Sequence, residues 1–316
     1  MTTTYMKRIR GHAWTIASGL RASLCRPGTS GARRMSIPVL DPYAGPVHIG
    51  GLFFDVPDSD GLVVVVHGLG GKAASNYGLA AARAANASGL ACFCIGLRGT
   101  DGSGDDLYHG GLTEDLWLAL QNAQFARFRR VYLLGFSVGG HLAIKAALDR
   151  VDERVRAVAA VCPPLDLGVA TAVLDSQWLY RRHIFSTLNR DYGAVANRLD
   201  FMPSAETVQA AKTCRERDAL TVVPRFGFRD VDEYYESESV SRRIHELETP
   251  TLMVANHSDP LIPIDTILPA IRRASRALRV CWVNEGGHLT FPGNLDLNLG
   301  GPLGIAPQVI TWLASQ

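Results

Sequence analysis

Three widely spaced residues set the chemistry open to this chain. They are Ser137 in Val131-Tyr-Leu-Leu-Gly-Phe-Ser137-Val-Gly-Gly, Asp259 in Asn256-His-Ser-Asp259-Pro, and His288 in Asn284-Glu-Gly-Gly-His288-Leu. A serine alcohol is a poor nucleophile until a histidine accepts its proton and a carboxylate fixes that histidine's tautomer. Ser137 lies where an apolar strand pattern meets a helix pattern, flanked by Gly135 and Gly139. A strand-to-helix turn that tight lifts the hydroxyl clear of the sheet and leaves no room for side chains at either glycine. Attack on an acyl carbonyl also needs amide donors for the developing oxyanion. The amide of Val138 is one. The amide of Leu69 is the second, in Val63-Val-Val-Val-His67-Gly-Leu-Gly-Gly71, where His67 and Gly68 shape a glycine-rich turn after a β-branched strand.

Rival residues are weaker on position. Asp265 falls where a helix begins and Glu285 is too close to His288 in one loop; Asp166, in the loop after the strand that follows the serine turn, stays open as an alternative acid. His141 belongs to the helix after Ser137, His183 and His245 to a helical region further on, and His257 stands two residues before Asp259. The turn at Gly68, Gly70 and Gly71 lacks G-x-G-x-x-G spacing and no acid ends the next strand, which speaks against a dinucleotide site. His67 has no histidine or carboxylate at i+2 or i+4, so no metal is expected, and no other cofactor.

The elements that must hold these residues alternate. Gly50 to Phe54, Leu62 to Val66, Leu90 to Ile95, Val131 to Leu134, Val155 to Val161, Thr251 to Ala255 and Arg279 to Val283 read as strands. Tyr77 to Ala87, Leu116 to Ala126, Val138 to Leu148, Ile264 to Leu278 and Ile305 to Ala314 read as helices, with Thr113, Glu114 and Asp115 favouring the amide end of the second. This order predicts a mostly parallel, doubly wound α/β sheet. From about 163 to 247 the alternation fails, and helices and loops carrying Trp178, Tyr180, Phe185 and Phe201 predict a lid inserted over the ligand-binding edge of the sheet. Within it, Trp178-Leu-Tyr-Arg-Arg182 reads as a buried lid helix with solvated arginines, peripheral membrane contact being the second reading.

At 316 residues and 47 % hydrophobic, the chain has material for a large core. The apolar run Leu62 to Val66 is far below the ~20 residues that span a bilayer, so no integral membrane segment is expected. Residues 1–34 hold Lys7, Arg8, Arg10, Arg21, Arg26, Arg33 and Arg34 and no acid; removing these seven from the formal +2 leaves −5. Such a body, without a basic stripe and interleaved aromatics, is not expected to bind nucleic acid. The segment 1–34 reads as a disordered tail or an over-early start, with a transit peptide as the alternative, and 35–316 as one domain. Gly19 and Arg21 interrupt its apolar stretch and argue against a secretory signal. Cysteines 25, 92, 94, 162, 214 and 281 lack metal spacing and a C-x-x-C pair, which predicts free thiols and a reduced, cytoplasmic setting.

With these residues assembled, the chain resembles the α/β-hydrolase superfamily, in which the nucleophile, acid and histidine follow in that order, as Ser137, Asp259 and His288 do. More narrowly it is similar to the YheT-type branch of that superfamily. Four segments carry this closer likeness: His67-Gly-Leu-Gly-Gly; Leu97-Arg-Gly with Leu107-Tyr-His-Gly-Gly-Leu-Thr-Glu-Asp115-Leu; Gly135-Phe-Ser-Val-Gly-Gly; and Phe226-Gly-Phe-Arg-Asp-Val-Asp-Glu-Tyr-Tyr. The resemblance implies a serine hydrolase of carboxylic esters with short- to medium-chain acyl or lipid substrates, some relatives passing the acyl group to an alcohol. The alternatives are an acyltransferase using the same three residues and a catalytically inactive binding protein that keeps the fold, against which the intact Ser137, Asp259 and His288 argue. It spans about residues 45 to 315. The chain departs from the branch in its short N-terminal part.

Overall fold

The computed structural model describes residues 9–17, 28–100 and 102–316. Its sheet has eight strands in the order β1-β2-β4-β3-β5-β6-β7-β8: β1 (Ala32–Asp41), β2 (Gly45–Phe54), β3 (Gly61–Val66), β4 (Ala91–Gly96), β5 (Arg130–Phe136), β6 (Val155–Val161), β7 (Thr251–Asn256) and β8 (Leu278–Val283). From β4 to β8 all neighbours are parallel, whereas β2 runs antiparallel to both β1 and β4. The central strands are buried on both faces, which explains their continuous apolar runs. Their alternate residues feed two cores: Val64, Phe93, Leu133, Val158 and Met253 on one side, Val63, Val65, Leu134, Ala159 and Leu252 on the other.

Residues 9–17 form a first helix, α1. α2 (Asn76–Ala87), α3 (Glu114–Leu120) and α4 (Val138–Leu148) follow along the sheet, and between β6 and β7 come α5 (Leu167–Ser176), α6 (Trp178–Ala196), α7 (Ala205–Gln209), α8 (Cys214–Leu220), α9 (Val222–Phe226) and α10 (Val231–Glu238). α11 (Ile264–Ile271) and α12 (Ile305–Ala314) complete the set.

Several boundaries differ from the sequence reading for physical reasons. β1 lies in part where a tail was expected: Met35 and Ile37 face the core while Arg34, Ser36 and Pro38 face solvent, so the strand is an amphipathic edge with proline on its open side. With α1 also helical, the described part of 1–34 is ordered; the remainder, including Cys25 and the cations Lys7, Arg8, Arg21 and Arg26, lies outside the described residues. α11 ends at Ile271 rather than 278, two residues after Pro269. The helix expected over 116–126 stops at Leu120, and Asn122 caps a separate 3-10 turn, Ala123–Phe125. Cys92, Cys94, Cys162 and Cys214 are buried and, with Cys281, free.

Candidate active site

The turn from β5 into α4 holds Ser137 at φ 54° and ψ −125°, a strained backbone for a residue with a side chain. Hydrogen bonds fix it: Ser137 N–H donates to Val161 O at 2.9 Å and its carbonyl accepts from Gly140 N–H at 2.8 Å. A Cβ on Gly135 would stand 2.0 Å from the Gly139 carbonyl oxygen, and one on Gly139 would stand 2.3 Å from Val66 O and 2.4 Å from His67 O. Both glycines are therefore required by close backbone approach rather than by their φ angles.

Beyond β7 and β8, two loops bring the other partners to the serine. His288 Nε2 lies 2.9 Å from Ser137 Oγ, and His288 Nδ1 lies 2.8 Å from Asp259 Oδ2. The carboxylate only accepts, so Nδ1 carries the proton and Nε2 faces the hydroxyl as an acceptor. Asp259 Oδ1 accepts the N–H groups of Leu261 at 2.8 Å and Ile262 at 2.9 Å. Burial alone would raise the Asp259 pKa, but the His288 imidazole and these two amides together hold it below the usual carboxylate value. Asn256 ties the loops together, its amide donating to Glu285 O and Gly287 O at 3.2 Å and its Oδ1 accepting from Ser258 N–H at 2.8 Å.

The turn after β3 presses on the serine from the other side. A Cβ on Gly68 would sit 3.1 Å from Ser137 Cβ and 3.8 Å from its Oγ. In this turn Gly68 N–H donates to Tyr77 Oη, Gly70 N–H to Tyr108 Oη, both at 3.0 Å, and Gly71 N–H to Gly68 O at 2.9 Å. Among the described residues the Leu69 N–H has no acceptor, and the Val138 N–H, at the start of α4, has none either. His67 is buried, its Nδ1 2.8 Å from Gly68 O and its Nε2 3.3 Å from Leu97 N–H. Burial pulls its pKa down to about 4, so it is a neutral brace of the turn.

Of the rivals, Asp166 caps α5 by accepting Val169 N–H, and Asp265 lies exposed in the first turn of α11. His141 is buried between Pro164 O at 3.0 Å and Glu238 O at 2.9 Å, while His257 packs on Trp282. Cys162 Sγ comes within 4.8 Å of the Asp259 and His288 ligand atoms. Both imidazole nitrogens are already engaged there and burial keeps the thiol protonated, so these groups do not make a free ligand set. Asp115, read as a helix-start acid, does stand in the first turn of α3, and it is fully buried there against Arg98. Trp178 and Leu179, expected to be buried, are 64 % and 45 % exposed.

Two supports had no readable signal. Thr15 Oγ1 of α1 accepts the His288 backbone N–H at 2.9 Å, and His12 stacks on Tyr180 of α6, so the first helix joins the histidine loop to the insertion. Behind the site, Arg98 and Arg225 share three buried carboxylates. Arg98 reaches Asp115, Asp41 at 2.7 Å and Asp106 at 3.0 Å; Arg225 reaches Asp106 at 2.6 Å and Asp41 at 2.8 Å. Only the arginine and aspartate types, not their pairing, were visible in the chain.

A strand-to-helix serine turn on a mostly parallel sheet, with acid and histidine following from later strands, defines a hydrolase architecture. A family model described as the alpha/beta hydrolase fold matches residues 61–295, and the chain belongs to that family. The chain is 26 % identical over 195 residues to a monoacylglycerol lipase of Saccharomyces cerevisiae, covering 58 % of this chain and 43 % of that one. It is 25 % identical over 266 residues to a medium-chain fatty acid ethyl ester synthase/esterase of the same yeast, covering 73 % and 58 %. It thus spans about half the length of these relatives. An esterase of Pyrococcus furiosus shares the fold at TM-score 0.53 and 14 % identity, over 82 % of this chain and 83 % of that one. No helix of the described residues is long and apolar enough to cross a membrane.

Proposed function

We propose that the protein is a serine hydrolase of carboxylic esters in the YheT-type branch, with Ser137 as nucleophile, His288 as base and acid, and Asp259 orienting the histidine. The observation that carries this reading is the unbroken chain of contacts from Ser137 Oγ to His288 at 2.9 Å and on to Asp259 at 2.8 Å. Ser137 Oγ attacks the acyl carbon while its proton passes to His288 Nε2, and the carbonyl electrons move onto the oxygen, which the Leu69 and Val138 amides receive. Collapse of this intermediate expels the alcohol, protonated by His288, and leaves an acyl-serine. Water, deprotonated by His288, then adds to the acyl carbon; its collapse releases the acid and returns the proton to Ser137.

Short- to medium-chain or lipid esters are the proposed substrates, supported by the names of the two yeast relatives. A second reading, transfer of the acyl group to an alcohol, is favoured by the synthase/esterase among them. The exposed Trp178 and Leu179 support peripheral contact with a lipid surface, and the setting proposed is cytoplasmic. The test is a series of p-nitrophenyl esters of increasing acyl length, with and without added alcohol, for wild type and Ser137→Ala. Loss of turnover by several powers of ten in the variant is expected. Equal rates for the two proteins would refute the assignment.

A further inference from the structure

We infer that Tyr108, together with Tyr77, positions the turn that receives the acyl oxygen, and that the insertion holds Tyr108 in place; this rests on the ester-hydrolase reading above. The turn from Gly68 to Gly71 has four amides that could point at an oxyanion beside Ser137. Three are taken: Gly68 N–H by the Tyr77 hydroxyl, Gly70 N–H by the Tyr108 hydroxyl, and Gly71 N–H by the Gly68 carbonyl. The two phenols thus grip the turn on either side of Leu69 and select its N–H as the one left for substrate. Preorganisation of this kind matters because a donor that must reorient during reaction gives back much of its benefit.

The phenols suit the task chemically. Desolvation raises the pKa of both, so each remains a neutral hydroxyl and brings no negative charge beside a developing oxyanion. A carboxylate in their place would hold the amides as well but would oppose the charge that forms.

Tyr108 is itself clamped from the insertion. The ring of its neighbour His109 is packed 4.5 Å from Phe226, 5.6 Å from Phe228 and 5.4 Å from Tyr234, centroid to centroid. Gly110 N–H donates to Tyr234 Oη at 3.0 Å. Burial pulls the His109 pKa down to about 3, so the ring stays neutral among these aromatics. The segments Leu107-Tyr-His-Gly-Gly and Phe226 to Tyr235, far apart in sequence, therefore form one strut ending on the Gly70 amide.

The experiment compares Tyr108→Phe, Tyr77→Phe and a control, Tyr132→Phe, whose hydroxyl lies near Arg130 at the opposite end of β5. Each is assayed for kcat and KM on p-nitrophenyl butyrate and for inhibition by an alkyl trifluoromethyl ketone, which adds to serine and creates the oxyanion. The first two variants should lose about 10- to 100-fold in kcat with KM within about twofold, and ketone affinity should fall in step. The control should match wild type in all three. Should Tyr108→Phe fail to fold, Tyr77→Phe decides alone, since it frees the amide on the other side of Leu69. Unchanged kcat and ketone affinity in a folded variant, or a loss carried by KM, would overturn the inference while an active wild type kept the ester reading. A wild type that neither hydrolyses esters nor reacts with a fluorophosphonate would overturn both.

Discussion

Asp259→Asn exchanges one oxygen for a nitrogen, and its effect follows from which groups face each atom. Oδ1 meets two donors, the Leu261 and Ile262 amides, while Oδ2 meets one, His288 Nδ1–H. In asparagine only the oxygen accepts, and the two amides claim it, because the reverse orientation sets an NH2 against two N–H groups. The NH2 then points at His288 Nδ1, which must accept. The proton moves to Nε2, and Nε2 loses the lone pair that would take the Ser137 proton. A wrong-tautomer histidine costs ~10⁴ in kcat, roughly 5 kcal/mol of barrier. Shape and loop contacts are kept, so the thermal midpoint should shift little. The assay is kcat and KM on p-nitrophenyl butyrate beside a melting curve. Retention of a tenth or more of wild-type kcat in the folded variant would refute the tautomer argument, and a matching collapse of the midpoint would assign the loss to unfolding.

Three further outcomes are expected. His67 and His109 are held neutral at about 4 and about 3, below the ordinary 6.5, so their contribution to stability is fully present above pH 6.5 and is lost as pH falls toward those values. Each should steepen the fall by about 1.4 kcal/mol per pH unit in that window, read as denaturation midpoints at pH 7, 6 and 5; a flat profile would contradict their burial as neutral groups. Arg98→Met leaves the buried Asp115 with no arginine and Asp106 and Asp41 with Arg225 alone, and should cost about 3–5 kcal/mol of unfolding free energy, so a loss under about 1 would count against the network as drawn. Thr15→Val removes the acceptor of the His288 backbone N–H while keeping shape, and should lower kcat several-fold with KM unchanged, whereas Thr15→Ser should restore it. Equal activity of the valine and serine variants would show that α1 does not steady the histidine.

What the sequence made legible was local or rigidly periodic. The β-branched run of β3 and the glycines around Ser137 announce their conformations because backbone sterics leave them few alternatives. The proposed partners Asp259 and His288 could be singled out because each lies in a short loop after a strand. β1 escaped because an amphipathic edge with Arg33, Arg34 and Pro38 looks like polar coil when its partner strand is unknown. Thr15 and the two tyrosines escaped for another reason: a hydroxyl that serves a backbone amide 9, 38 or 273 residues away leaves no spacing to detect. Trp178 departs from its expected burial because an aromatic side chain is buried only when something packs over it.

The Arg98 and Arg225 cluster bears on how this molecule moves. Arg225 lies in α9 of the insertion, and Asp41 and Asp106 lie in the body. Swinging the whole insertion outward would strip Arg225 of both its partners and leave the buried Asp41 and Asp106 with Arg98 alone, an excursion too costly to accompany every turnover. Any opening of the insertion is therefore expected to be hinged within it. Near α9 and α10 it travels with the sheet, whereas α6 buries little besides Tyr192 and Val195 and is where the chain can breathe. Entry and exit of substrate should show as exchange-labile amides in α6, against protected amides in α9 and α10.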